Sequence, residues 1–227
     1  SRRKYADYHS APVPAFGAPD PRLLIVGLAP GLHGANRTGR PFTGDFAGIL
    51  LYESLHALGL SSQAQSLSRD DALTLRGVRI TNAVKCVAPQ NKPTPAEARE
   101  CLGFLRSELE LPGDARVVLA LGRIAHDAVL AAFDLRRSSS LFAHGAEHEL
   151  LPGQQARQEL LAQPGVGQAG RPQLGLQAHE ARREVVFVEA PRTGPLLREP
   201  AAALVHRGLA PQQPLVHRIE HVDDELV

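Results

Sequence analysis

Two stretches of this chain carry residue types and spacings suited to ligand chemistry. The first runs Gly27-Leu28-Ala29-Pro30-Gly31-Leu32-His33-Gly34-Ala35-Asn36-Arg37-Thr38-Gly39-Arg40-Pro41-Phe42-Thr43-Gly44-Asp45. It holds five glycines, two prolines, two arginines and one aromatic, Phe42. Glycines let backbone amides approach a ligand closely, and the start of a following helix favours negative charge. The stretch has neither G-x-G-x-x-G nor G-K-[ST], so the standard nucleotide fingerprints are missing and a plain long turn stays open as a reading. The second stretch is Thr81-Asn82-Ala83-Val84-Lys85-Cys86. An Asn at a strand end presents a donor and an acceptor together, which suits a base edge, or it satisfies its own turn. Asn91-Lys92-Pro93 follows, with a lysine free to meet a phosphate or solvent. Cys86 and Cys101 read either as two small buried hydrophobes or as half of a metal site, since zinc and iron–sulfur clusters take four ligands. The ten histidines show no metal-binding pattern; His217 and His221 are four apart, but in a stretch of unusual composition.

The elements that must position these residues alternate. Arg22–Leu28 is a short, continuous apolar run, as expected of a strand covered on both faces. Asp45–Gly59 predicts a helix with Asp45 as N-cap and Ile49, Leu50, Leu55 and Leu58 on its apolar face. Val78–Val84 predicts a second strand. Thr94-Pro95-Ala96-Glu97 has the form of a capping box with Pro at N1, opening a helix through Cys101 and Leu105. Arg116–Leu121 predicts a third strand, and Arg123–Phe133 a helix. Such alternation implies a parallel sheet with helices on both faces and functional loops at the carboxyl ends of its strands.

The chain has 227 residues and a formal net charge of +1, so a polyanion-binding face must be local rather than global. No apolar run approaches the roughly 18–20 residues needed to span a bilayer, and nothing resembles an export signal. With two cysteines there is no disulfide framework, which favours the cytoplasm. No Met occurs, even at position 1, so the sequence reads as a fragment. Composition divides it near Gly153. Residues 1–153 hold nine of the ten aromatics, whereas residues 154–227 hold nine Gln, one aromatic, and no Ser, Asn, Lys, Tyr or Cys. Seventy-odd residues without Ser or Asn are poor in ordinary turn formers. A disordered Gln/Arg/Pro-rich tail, a divergent folded continuation and a wrong-frame translation all fit this pattern.

In combination, GLAPGLHGANRTGRPFTGD, ITNAVKC, NKPTPAEARECLGFL and ALG resemble the uracil-DNA glycosylase superfamily, in its iron–sulfur branch and nearest the family 5 type. The resemblance covers about Tyr5 to Gly153, including YADYHSAPVPAFG and FAHGAEHELLPG. It implies an α/β fold: a three-layer α/β/α sandwich around a four-stranded parallel sheet. It also implies a repair enzyme that flips uracil or a related deaminated base out of DNA and hydrolyses its N-glycosidic bond; a monomer is expected. Phe42 would stack on the base, Asn82 would pair with its edge, and the segment carrying Gly27, Ala29, Pro30 and Gly31 would line the pocket. The family 4 pattern has Glu where this chain has Leu28, leaving Asp45 as the nearest acidic group to position water, or as a plain helix cap. The branch binds a 4Fe–4S cluster through four cysteines. Cys86 and Cys101 match the later two, and the earlier two would lie upstream of Ser1. The family's third motif, a His followed by Ser and Asn, has no counterpart after position 153, so an impaired enzyme is expected. His179, His206 and His217 receive no role. A non-catalytic DNA-binding member and a nucleotide-binding α/β protein are the alternatives.

Overall fold

The computed structural model describes residues 5–110, 117–143, 146–150 and 183–188. Its sheet contains β1 (Phe16–Gly17), β2 (Leu23–Gly27), β3 (Val78–Asn82), β4 (Val117–Leu121), β5 (Glu147–Leu150) and β6 (Arg183–Val188). The order across the sheet is β1-β3-β2-β4-β6-β5. The four inner strands β3, β2, β4 and β6 are parallel, and the two edge strands run antiparallel to their neighbours. The expected four-stranded parallel sheet is therefore present, with two short edge strands added. Its fourth parallel strand comes from beyond position 153, in the part of unusual composition. His179, His206, His217 and most of residues 154–227 lie outside the described residues.

Strand β2 shows why the sheet must be covered twice. All five of its residues are buried. Successive side chains point to opposite faces, so Leu23 and Ile25 join one core cluster while Leu24 and Val26 join another. Helix α2 (Phe46–Ala57) covers the first face with Leu51, Tyr52 and Leu55. Helices α3 (Pro95–Leu109) and α4 (Arg123–Ala132) cover the second, with Leu105, Leu109, Ala125, Val129 and Leu130. These are the three layers of an α/β/α sandwich. The capping box at Thr94 is complete: Glu97 N–H donates to the Thr94 hydroxyl, and Thr94 N–H donates to the Glu97 carboxylate at 2.7 Å.

Helix α2 departs from its expected apolar face. Ile49 is 51% exposed and Phe46 is 81% exposed, while Gly48, Leu51, Tyr52 and Leu55 are buried. The helix is apolar nearly all round, so periodicity alone does not fix its rotation. Gly48 does: a Cβ there would lie 1.8 Å from the Phe42 carbonyl oxygen, so α2 turns its glycine onto the preceding loop. A short helical turn, α1 (Ala35–Thr38), lies inside the first glycine-rich stretch and ends at Gly39, whose φ is +74°.

Candidate functional site

Parallel strands whose order reverses leave a crevice at their carboxyl ends. Here β2 ends at Gly27, β3 at Asn82 and β4 at Leu121, and Gly27 stands directly opposite Asn82 in register. The pairing continues past the strands, with Ala83 N–H donating to Gly27 O (2.9 Å) and Val84 N–H to Leu28 O (3.0 Å). A cleft of about 290 Å³ opens at this point. The first loop contributes Gly27, Leu28, Ala29 and Gly31; Phe42, Asp45 and Ala47 come from the entry to α2; Asn82, Asn91 and Leu121 complete the wall. Pro30 is buried and lines no part of it.

Phe42 and Asn82 meet over Gly27. A Cβ on Gly27 would approach Asn82 Oδ1 to 2.5 Å and Phe42 Cζ to 2.6 Å, so the missing side chain leaves room for an aromatic ring and a carboxamide side by side. Phe42 has a φ of +55°, uncommon for a bulky residue and characteristic of ligand sites. A buried polar network holds it there. Tyr52 donates its hydroxyl to Pro41 O (3.1 Å), and Arg40 donates from Nε to Thr43 Oγ1 (3.0 Å) and from a terminal nitrogen to Asp71 Oδ2 (2.5 Å). Burial raises the Asp71 carboxyl, but the Arg40 guanidinium and the amides of Leu67, Leu73 and Ser68 more than offset this and hold it well below the usual carboxylate range. Asn82 is only 3% exposed, yet its side chain makes no hydrogen bond among the described residues. A buried carboxamide normally has partners. This one faces a cleft with both its donor and its acceptor available.

Asp45 occupies the N-cap position of α2 but does not cap it: its side chain makes no bond to the helix's own first turn. Instead Ala35 N–H donates to Asp45 Oδ2 at 3.2 Å. Two glycines admit the carboxylate, since a Cβ on Gly34 would fall 1.8 Å from Asp45 Oδ1 and one on Gly31 would fall 2.5 Å away. Burial raises the Asp45 carboxyl above its ordinary value, opposed by the Ala35 amide and the Arg37 charge. The plain-cap reading of Asp45 therefore fails, and the carboxylate sits in the cleft wall.

The two cysteines sit beside one another. Burial first, and then the neighbouring Cys101, raise the Cys86 thiol. Cys86 is exposed and Cys101 half-buried, which does not fit a pair of small core hydrophobes. Lys85 N–H donates to Cys101 Sγ at 3.5 Å, the kind of contact that sulfur ligands of a cluster receive. Two adjacent accessible thiols fit half of a four-thiolate shell. Among the described residues no third His, Cys, Asp or Glu completes a metal group. Lys85 itself is buried and ion-paired to Glu108 at 2.8 Å and 2.9 Å, which ties this loop to α3. Burial lowers the Lys85 ammonium, with Glu108 opposing.

The model of the Uracil DNA glycosylase superfamily matches residues 14–202, which include the strand ends, the cleft and β6. The chain belongs to that superfamily. Over 146 residues it is 56% identical to a type-5 uracil-DNA glycosylase of Thermus thermophilus, covering 64% of this chain and 66% of that protein. A type-5 uracil-DNA glycosylase of Mycobacterium bovis is 44% identical over 156 residues, covering 67% and 58% respectively. A type-4 uracil-DNA glycosylase of Archaeoglobus fulgidus is 34% identical over 139 residues, covering 61% and 62%. The match thus spans less than two thirds of each relative's length. No helix among the described residues is long and apolar enough to cross a membrane.

The cleft brings together every site residue expected from the sequence except Pro30, which is buried and outside its lining, and the cysteines, which do not line it. Ala47, Asn91 and Leu121 were missed as wall residues. The strand-end rule pointed to the position of Leu121, whereas Ala47 carries no chemical signal.

Proposed function

We propose that this chain is a DNA repair glycosylase that binds an extruded uracil, or a related deaminated base, in the cleft and hydrolyses its N-glycosidic bond. The observation that carries the reading is Asn82, a largely buried residue that lines the cleft with a carboxamide making no hydrogen bond among the described residues, placed beside an aromatic ring held in a rare backbone conformation. Phe42 stacks on the base, and Asn82 donates to and accepts from its edge. Gly27, Ala29 and Gly31 shape the wall, with Pro30 stiffening the turn behind them. A base must leave the stack before its glycosidic bond can be reached, and a cleft open at the sheet's carboxyl edge receives it.

Hydrolysis breaks the bond between C1′ and the base nitrogen. It leaves a uracil anion and a sugar that water attacks, with one proton released. Asp45 positions that water and takes up its proton; burial makes this carboxylate a better base than a solvated one. Dipoles fixed in advance around the departing anion supply most of the acceleration. Asn82 is one of these. The family's third motif contributes another, and no Ser or Asn occurs in residues 154–227 of this chain. Loss of one such donor costs about 10²–10³ in rate, so the 227-residue chain is expected to be slow. Cys86 and Cys101 would supply two of four thiolates to a 4Fe–4S cluster. Bound there, the cluster would cross-link the β3–α3 loop to α3.

A uracil-containing oligonucleotide with excess enzyme tests the reading. Alkali-labile strand cleavage is expected. Retention without cleavage favours a non-catalytic DNA-binding member, and neither outcome favours a nucleotide-binding protein.

A further inference from the structure

Asn91 lies nine residues beyond Asn82, in the loop between β3 and α3, yet it lines the same cleft. Its backbone is left-handed (φ +56°), and so is that of the preceding Gln90 (φ +53°). Asn tolerates that region better than most residues, but two consecutive non-glycine residues there persist only where the surroundings enforce them. They are enforced at both ends. Upstream, Ala83, Val84, Lys85 and Ala88 are buried. Asn91 N–H donates to Ala88 O, and Lys92 N–H to Pro89 O, each at 3.0 Å. Downstream, the capping box at Thr94 fixes the start of α3. The turn is therefore a rigid arm, and it presents an exposed carboxamide at the mouth of the cleft.

The chemistry of that mouth follows from the floor. If the base rests on Phe42 and Asn82, an extruded nucleotide still joined to its strand must leave its flanking phosphates outside. A side chain at the rim meets that backbone rather than the base. Asn91 offers two N–H donors there, and the adjacent exposed Lys92 biases the field toward an anion. We propose that Asn91 is a substrate-positioning residue that donates to a phosphate oxygen flanking the extruded nucleotide. This rests on the reading of the cleft as a uracil pocket.

The test is binding rather than turnover, using the full chain and a fluorescent oligonucleotide carrying one uncleavable 2′-fluoro-2′-deoxyuridine. A matched oligonucleotide carries thymidine at that position. Asn91→Gly keeps the left-handed backbone without strain, so it removes only the side chain. It should weaken binding of the fluorouridine strand by about 10- to 150-fold, the net worth of one hydrogen bond to a charged partner. Its melting temperature should stay equal to the parent's or rise. Asn91→Asp also tolerates the turn but puts a carboxylate against the phosphate. It should bind more weakly than Asn91→Gly at low salt, and the two should converge as added salt screens the repulsion. Preference for fluorouridine over thymidine should be unchanged in both variants. Parental affinity in Asn91→Gly, or affinity of Asn91→Asp at or above that of Asn91→Gly at low salt, overturns the proposal. So does loss of the uracil preference in either variant, which would make Asn91 a base contact. If the parent shows no preference for fluorouridine, the uracil-pocket reading falls first and the proposal falls with it.

Discussion

Replacing Asp45 with Asn should make the protein more stable and less active at once. The carboxylate is held in the cleft wall where burial raises its pKa, so the folded state disfavours its charged form. A raised carboxyl contributes stability that is complete below the ordinary value near 4 and is lost as pH rises through the folded pKa. The amide introduced by Asp45→Asn would have no such dependence, and its oxygen would still accept from Ala35 N–H, a bond of 3.2 Å in the parent. Asp45 is only half-buried, so solvent screens part of the penalty and the gain should stay at or below about 1 kcal/mol. For a chain of this size that is a rise of about 2–4 °C in melting temperature near neutral pH. The gap should close below about pH 4, where the parent carboxyl is protonated. At neutral pH, single-turnover release of uracil should fall by about 10²–10⁴, the usual contribution of a positioned base. The parent's activity should decline on its acid side at a pH above the ordinary aspartate range. Calorimetry and quenched single-turnover assays across about pH 3–8, which brackets the carboxylate range, read both effects. An Asp45→Asn variant that is less stable at neutral pH, or one that keeps parental turnover, overturns this role for the carboxylate.

Further outcomes follow from the same geometry. Gly27→Ala should drive a methyl into Asn82 Oδ1 and Phe42 Cζ, removing most uracil discrimination (about 1–3 kcal/mol) while the circular dichroism spectrum stays native. Asp71→Ala strands the buried Arg40 and should destabilise the fold by about 3–5 kcal/mol in chemical denaturation. Because the Asp71 pKa is depressed, the stability it confers is full above the ordinary carboxylate value and is lost as pH falls below it; the variant should show a correspondingly flatter acid limb. In a chain extended upstream by two further cysteines, anaerobic reconstitution should yield a brown protein containing iron and sulfide. Cys86→Ser or Cys101→Ser should each abolish that colour; retention of full iron content in either variant removes that residue from the ligand set.

Strands β2 and β4 were legible because each is a continuous apolar run, which a sheet covered on both faces demands. The capping box was legible because Thr94 and Glu97 satisfy each other within one turn. The rotation of α2 was not, because its apolar residues surround it and the deciding contact, Gly48 against Phe42, is tertiary. Asp45 looked like an N-cap for a good local reason, yet Gly31 and Gly34 open a competing site across the loop. Asn82 stood out as a chemical type at a strand end, whereas its uncommitted state is a property of the folded cleft. β6 was hidden in a part of unusual composition, where a short apolar stretch does not stand out; its pairing with β4 is what defines it.

Everything proposed for the cleft depends on its holding uracil through Asn82 while the glycosidic bond is hydrolysed. The decisive quantity is free uracil released from a single-uracil oligonucleotide, with parent and Asn82→Ala enzymes in excess. The parent should release it slowly but measurably, matched by an equal amount of abasic site. Asn82→Ala should be slower by about 10²–10³, the cost of losing one donor fixed beside the departing anion. No free uracil from the parent, or equal release by both proteins, would contradict a uracil pocket built on Asn82.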